Sequence, residues 1–388
     1  MSAAGPRVYL DHNASSPLRP EAAEAMREAE RETSGDPAAP YAEGRAARAL
    51  LERAREQVAG LVGASPEEVV FTSGGSEAVA AAVRGVCDRA PHALRRLVVS
   101  SIEHFAVLES ARLAARRGFV VVETPCGTEG RVQAESFRMH LDEGVALAAL
   151  QWANHETGVL QPVEEIGRAC REARVPFLVD AAQAAGKLML DPRQAFADLV
   201  ALSGHKFGGP QGTGALVVRH GIVLAPLIAG RHEERRRGGT PGVAALAGLG
   251  AAARAASGAV KEEGRRLLRL RAKIETRLRE LFPDIRFHGQ ASPRLPNTVS
   301  FALPDLAGER VARALDGAGV AVGSSATGPD GEVEPSPVVL AMGFDEEQAR
   351  AALRVSLGWS TTRQEVDAFL TRFPDIVQRL RRKSDQER

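Results

Sequence analysis

Short runs of β-branched and aliphatic residues alternate, over roughly residues 15–255, with longer Ala- and Arg-rich stretches of helical character. The runs read EEVVFT, RRLVVSS, GFVVVETP, GVALAALQW, VPFLVD, ADLVALSG and GALVVRH. Strands that alternate with helices need right-handed crossovers, which predicts a mostly parallel sheet covered on both faces. A ligand crevice then belongs outside the carboxyl ends of the strands. Near residues 243–282 the pattern turns helical (VAALAGLGAAARAA, then GRRLLRLRAKIETRLRELF), and shorter units follow: NTVSFALP, ERVARALDGAG, VAVGSS and RVSLG. This predicts an α/β protein with a large domain over 15–255 and a smaller α+β domain, made of 1–14 and 256–388, hung on a long helix. A single core stops growing near ~250–300 residues, so two domains suit a chain of 388. Thr362 and Glu365 have the spacing of a capping box at the start of the last helix.

Composition narrows the partners. Lys and Arg total 50 against 49 Asp and Glu, a net charge of +1, which gives no electrostatic reason to expect nucleic acid or an anionic membrane. No apolar run approaches the ~20 residues that span a bilayer, and the N-terminus lacks a basic start followed by an apolar core. Cys87, Cys126 and Cys170 form no close pair of the kind that clips a metal or frames disulfides. A cytoplasmic protein that acts on a small molecule, without a metal, is the expectation.

Each candidate for chemistry falls just after one of the apolar runs. Lys206 lies in Ser203-Gly204-His205-Lys206, and Asp180 ends VPFLVD with Gln183 three residues on. A lysine amine condenses with the aldehyde of pyridoxal phosphate, and a carboxylate can keep the pyridine nitrogen protonated, making the ring an electron sink. Thr72-Ser73-Gly74-Gly75-Ser76-Glu77 follows a strand and opens a helix, where glycines and free amides suit a phosphate. His104, at the end of RRLVVSSIEH, could lie flat on the ring. Taken singly, each has a plainer reading. The Gly-rich turn could be only a tight turn, Asp180 a helix cap, His104 a hydrogen-bonded structural residue and Lys206 a surface lysine. No G-x-G-x-x-G sits between a strand and a helix, which argues against a dinucleotide-binding oxidoreductase.

In chain order these pieces resemble the cysteine desulfurase family of the class V aminotransferases, which are fold-type I pyridoxal phosphate enzymes. The likeness runs through VYLDHNASSP, FTSGGSE, IEH, ANHETGVLQP, VDAAQAAGK, SGHKFGGPQGTGAL, HEERRRGGTP and LRVSLG. It implies that Lys206 carries the cofactor, that Asp180 pairs with its ring nitrogen, that Gln183 bonds its phenolic oxygen and that His104 stacks on the ring. Gly75, Ser76, Ser203 and His205 would hold the phosphate, with Asn154 and His155 also at the cofactor. Thr240 would reach the phosphate of a neighbouring subunit, implying a homodimer. Arg354 would clamp the α-carboxylate of an amino acid substrate bidentately, beside Asn13.

The pattern breaks at one place. Sulfur-mobilising members of the family carry a nucleophilic cysteine on a loop that here reads Val322 to Gly331, where Thr327 or Gly328 stands instead. Asp36 to Tyr41, His155, Val79 and Ala80 also depart from the common pattern, changing the surroundings of the pocket more than its cofactor contacts. The leading expectation is therefore a lyase acting at the carbon–sulfur, or carbon–selenium, bond of cysteine or a derivative. Alternatives are a true cysteine desulfurase handing sulfur to an acceptor protein, an aminotransferase or epimerase, and a non-catalytic cofactor-binding partner of a sulfur-transfer system.

Overall fold

The computed structural model describes residues 7–324 and 334–387. Thr327 and Gly328, the positions at issue for a loop nucleophile, lie outside them. Twelve strands occur among the described residues: β1 (Val8–Leu10), β2 (Val69–Thr72), β3 (Arg96–Ser100), β4 (Val120–Thr124), β5 (Val145–Gln151), β6 (Phe177–Asp180), β7 (Leu199–Ser203), β8 (Gly214–Val218), β9 (Arg286–Phe287), β10 (Thr298–Ala302), β11 (Val320–Ser324) and β12 (Ala352–Ser356). Strands β2 to β8 form one sheet in the order β2-β8-β7-β6-β5-β3-β4, and the rest form a second, β1-β11-β12-β10-β9. In the first sheet β4, β3, β5, β6 and β7 run parallel, while β8 is antiparallel to both β7 and β2. All seven apolar runs of the sequence become these seven strands.

Both faces of the first sheet are buried, and successive residues divide between them. Val98, Ala148, Leu150, Val179 and Leu202 face one core with Leu51, Val58 and Ile166. Leu97, Val99, Leu147, Leu178 and Leu199 face the other, against Ala78, Val83 and Leu108 from the helices Gly75–Arg89 and Phe105–Ala115. Each fully buried Val or Leu contributes roughly 1.5–3 kcal/mol relative to exposure, which is what pins the register of these strands.

The second sheet packs Leu10, Val299, Phe301, Val320 and Val355 against Leu267, Leu270, Ile274 and Leu278, and against Phe369 and Phe373. Leu267 to Leu278 belong to the 39-residue helix Val243–Leu281, whose earlier residues Leu246, Leu249 and Ala253 lie in the first core. One helix therefore enters both cores. It is long and apolar enough by composition to cross a bilayer, but the leucines, isoleucine and alanine just named are buried in the two protein cores. The helix Arg363–Glu387 starts at the expected box, with Glu365 N donating to Thr362 Oγ1 at 3.2 Å and Thr362 N to Glu365 Oε2 at 2.7 Å.

Candidate active site

Gln151, Asp180 and Ser203 end β5, β6 and β7, and beyond them opens a cavity of about 610 Å³. Gly75, Ser76, Ser203 and His205 line one part of it, and His104, His155, Asp180, Gln183 and Lys206 line another. A second cavity of about 270 Å³ shares His104, His155, Gln183 and Lys206 and adds Asn13 and Arg354. Parallel strands in register deliver these groups together: Gln151 pairs with Asp180 across the ladder. Lys206 ends the single 3-10 turn that follows β7.

The Gly-rich turn has the features of an anion cradle. Gly74 sits at φ +155°, a backbone state essentially reserved for glycine, and caps the helix Gly75–Arg89. A Cβ on Gly75 would come within 3.1 Å of Ser203 Cβ, so a side chain there would need Ser203 to give by a few tenths of an ångström. The first-turn amides have no partner within the helix, and the hydroxyls of Ser76 and Ser203 stand nearby. His205 Nδ1 is 3.1 Å from Ser15 Oγ, and burial lowers the imidazole to about 4.

Asp180 is buried, with Oδ1 accepting from Ala182 N at 2.9 Å. Burial raises its carboxyl above the ordinary value, while His104 and Lys206 pull it back. A cation brought next to it would supply what burial removes. His104 caps the helix Phe105–Ala115, its Nδ1 accepting from Ala106 N at 3.1 Å, so the structural reading of this histidine and its place in the cavity both hold. Its ring stands edge-on to His155 at 5.2 Å. Burial holds both imidazoles below their ordinary values. The Nδ1 atom of His155 is buried without a hydrogen-bond partner among the described residues.

Lys206 Nζ donates to the carbonyls of Asn13 at 2.6 Å and Ala14 at 3.0 Å. Burial, helped by the charge of Arg354, brings its amine down to about 8. Arg354 projects from β12 of the second sheet, its Nη2 2.7 Å from Asp11 Oδ1 and its Nη1 donating to His155 O at 3.1 Å. Its Nε has no partner among the described residues. The guanidinium thus has an ion pair within its own sheet and also borders the cavity of Lys206.

Asn154, expected at the cofactor, is not brought to this cavity, and Thr240, expected at the phosphate of a neighbouring subunit, lies outside it as well. Asn154 is fully buried, its Oδ1 accepting from Glu156 N, Thr157 N and Thr157 Oγ1 and its Nδ2 donating to Ile102 O. Its carboxamide caps the 154–157 turn that presents His155. Thr240 lines an adjoining cleft with Ser73, Gly212 and Thr213. Asn13 borders the second cavity, but both its side-chain atoms are engaged: Oδ1 accepts from Lys187 and Asn297, and Nδ2 donates to Thr298 Oγ1 and His155 O.

Two charged residues were missed. Glu103 is buried beside His104, accepting from Ser100 Oγ and from Gln151 N at 3.0 Å, and burial raises its carboxyl to about 8. Lys187 lies behind Gln183 and donates to its Oε1 at 2.8 Å. The one sequence signal for either was a lone charge set in a run of small or apolar neighbours.

A lysine amine, a buried carboxylate, a Gly-rich helix start and an imidazole around one cavity fit pyridoxal phosphate in donor type. Comparison with known proteins agrees. Residues 8–369 match the family model of the class-V aminotransferases. A cysteine desulfurase of Cereibacter sphaeroides is 40% identical over 378 residues, 97% of each chain. An IscS-like cysteine desulfurase of Mycobacterium tuberculosis is 38% identical over 384 residues, again 97% of each. Among solved structures, a NifS-like protein superposes with a TM-score of 0.89 at 32% identity, over 96% of this chain and 99% of the other. The apo cysteine desulfurase of Thermococcus onnurineus gives 0.84 at 25% identity, over 96% and 95%. The chain therefore belongs to the class-V aminotransferase family and is a pyridoxal-phosphate-dependent, cysteine-desulfurase-like enzyme.

Proposed function

We propose that the protein is a lyase that breaks the Cβ–S, or Cβ–Se, bond of cysteine or a cysteine derivative without forming a persulfide on its own chain. The supporting observation is where the three cysteines of the sequence lie. Cys87 and Cys170 are buried in helices, and burial raises their thiols, that of Cys87 to about 11. Cys126 Sγ donates to Ala341 O at 3.3 Å, and its thiol is also raised by burial. None of the three lines either cavity of the site, and the 322–331 loop contains none. A thiol held protonated is a poor nucleophile.

The residues divide the work as follows. Gly75, Ser76, Ser203 and His205 would hold the phosphate, and Asp180, Gln183 and His104 would serve the ring nitrogen, the phenolic oxygen and the ring. Pyridoxal phosphate, attached through Lys206, supplies a cationic ring that accepts the electron pair left at Cα. Arg354 orients the substrate carboxylate, and its own neighbours Asp11 and His155 O hold the guanidinium in place. Lys206 Nζ, its amine lowered to about 8, would serve as the base that takes the Cα proton. The Cβ–S pair leaves with sulfur, which takes up a proton, and water converts the enamine product to pyruvate and ammonia.

Incubation with L-cysteine tests this: pyruvate, ammonia and sulfide are expected in equal amounts, and Cys126→Ser is expected to leave the rate unchanged. Stoichiometric alanine with a persulfide on the protein would instead establish a true cysteine desulfurase. That second reading is favoured by the relatives named as such, and it would require an acceptor protein. We further propose a homodimer in the cytoplasm. The placement of Thr240 outside its own cofactor cavity supports the dimer, because it leaves that hydroxyl for the phosphate of the neighbouring subunit. Sedimentation of the holoenzyme as a monomer would exclude it.

A further inference from the structure

Lys187 has no part in the chemistry assigned so far, yet its amine joins the network that supports the reaction centre. Its Nζ donates to Gln183 Oε1 at 2.8 Å and to Asn13 Oδ1 at 3.2 Å. Gln183 Nε2 donates to Asn13 O at 2.9 Å, and that same carbonyl accepts from Lys206 Nζ at 2.6 Å. A carboxamide can turn either way round, but an ammonium group only donates. The carbonyl of Asn13 only accepts, so the Gln183 atom beside it is nitrogen and the atom that Lys187 donates to is oxygen. With Oε1 so fixed, Nε2 spends one hydrogen on Asn13 O and keeps the other for a ligand in the cavity that Gln183 lines.

The electrostatic setting argues against a merely structural lysine. Burial and the positive charges of Lys206 and Arg354 push the Lys187 amine well below its ordinary value. His12 and His205 feel its charge in turn. No carboxylate pairs with it among the described residues; Asp11 and Asp180 bear on Lys206 instead. An apolar side chain of similar volume would fill the site without that desolvation cost.

We propose that Lys187 is a positioning residue for the cofactor site. It holds the Gln183 carboxamide with an N–H toward the phenolic oxygen of bound pyridoxal phosphate. The proposal rests on Gln183 serving that oxygen, and it is independent of which bond the enzyme breaks.

The test compares Lys187→Met, Lys187→Arg, Gln183→Ala and the Lys187→Met/Gln183→Ala double variant, reading cofactor dissociation constants, pH titration of the bound cofactor's visible absorption, and melting of the apoprotein. Losing one buried hydrogen bond corresponds to about tenfold weaker cofactor binding in Lys187→Met. The apoprotein is expected to melt no lower than the parent, since a buried cation has been removed. The absorption midpoint should move as it does in Gln183→Ala, Lys187→Arg should recover most of the affinity, and the double variant should bind no more weakly than Gln183→Ala. Multiplying losses in the double variant, an unmoved midpoint, or an apoprotein that unfolds or fails to fold without Lys187 would overturn the proposal. None of these readouts depends on turnover, so a failure of the lyase assay and a failure here are separate results.

Discussion

A lysine amine attacks an aldehyde only when neutral, so the burial that lowers Lys206 to about 8 sets when the apoprotein can capture its cofactor. Capture followed by stopped-flow absorption is expected to speed up as pH rises and to level off above about 8. Because Arg354 adds to the lowering, Arg354→Gln is expected to move that plateau to higher pH. Glu103 gives a second pH signature. Its carboxyl rises from 4.5 to about 8 in the folded protein, so the fold binds a proton that the unfolded chain releases. Stability is then full below 4.5 and falls as pH rises toward 8. Glu103→Gln, which stays neutral, is expected to raise the melting temperature by a margin that widens across that interval and is constant above it. Lys206, Asp180, Gln183 and His104 were legible in the sequence because each follows an apolar run at a strand end. Glu103 and Lys187 were not, since a charged letter in a sequence reads as solvated until the sheet that buries it is assembled. Asn154 shows the reverse: it stands in the right motif, but its hydrogen bonds turn it toward the backbone of its own turn.

At the scale of elements, the helix Gly75–Arg89 depends on how the chain enters it. Gly74→Ala would force a Cβ into φ +155°, a strain of about 1–3 kcal/mol. Open space surrounds that position, so the fold is expected to survive, measured by an unchanged circular dichroism spectrum, while phosphate affinity falls about tenfold as the cradle relaxes. The seven strands of the first sheet were legible from their apolar runs and the parallel crossovers from the helices between them. The reversed direction of β8 was not, because an apolar run buried on both faces carries no sign of which way it points. Strand order was hidden for the same reason, since side-chain pattern specifies a buried face and leaves the neighbour open.

The whole molecule places Lys206 on a turn of the first sheet and Arg354 on a strand of the second, joined where Arg354 Nη1 meets His155 O. The turn to a helical pattern over 243–282 underlies the expected division at 255/256. That one helix would serve both cores could not be inferred, because nothing in its periodicity separates Leu249 from Leu267. That continuity makes Val243–Leu281 a torsion bar. Each residue advances an α-helix by about 100°, so the azimuth between its two loaded ends is fixed by a count of residues. One residue added between Ala256 and Leu267 would swing the second sheet by that angle and carry Arg354 away from His155. Seven would restore the phase yet lift the sheet by about 10 Å. The reach between guanidinium and amine is thus written in the length of a segment that touches neither.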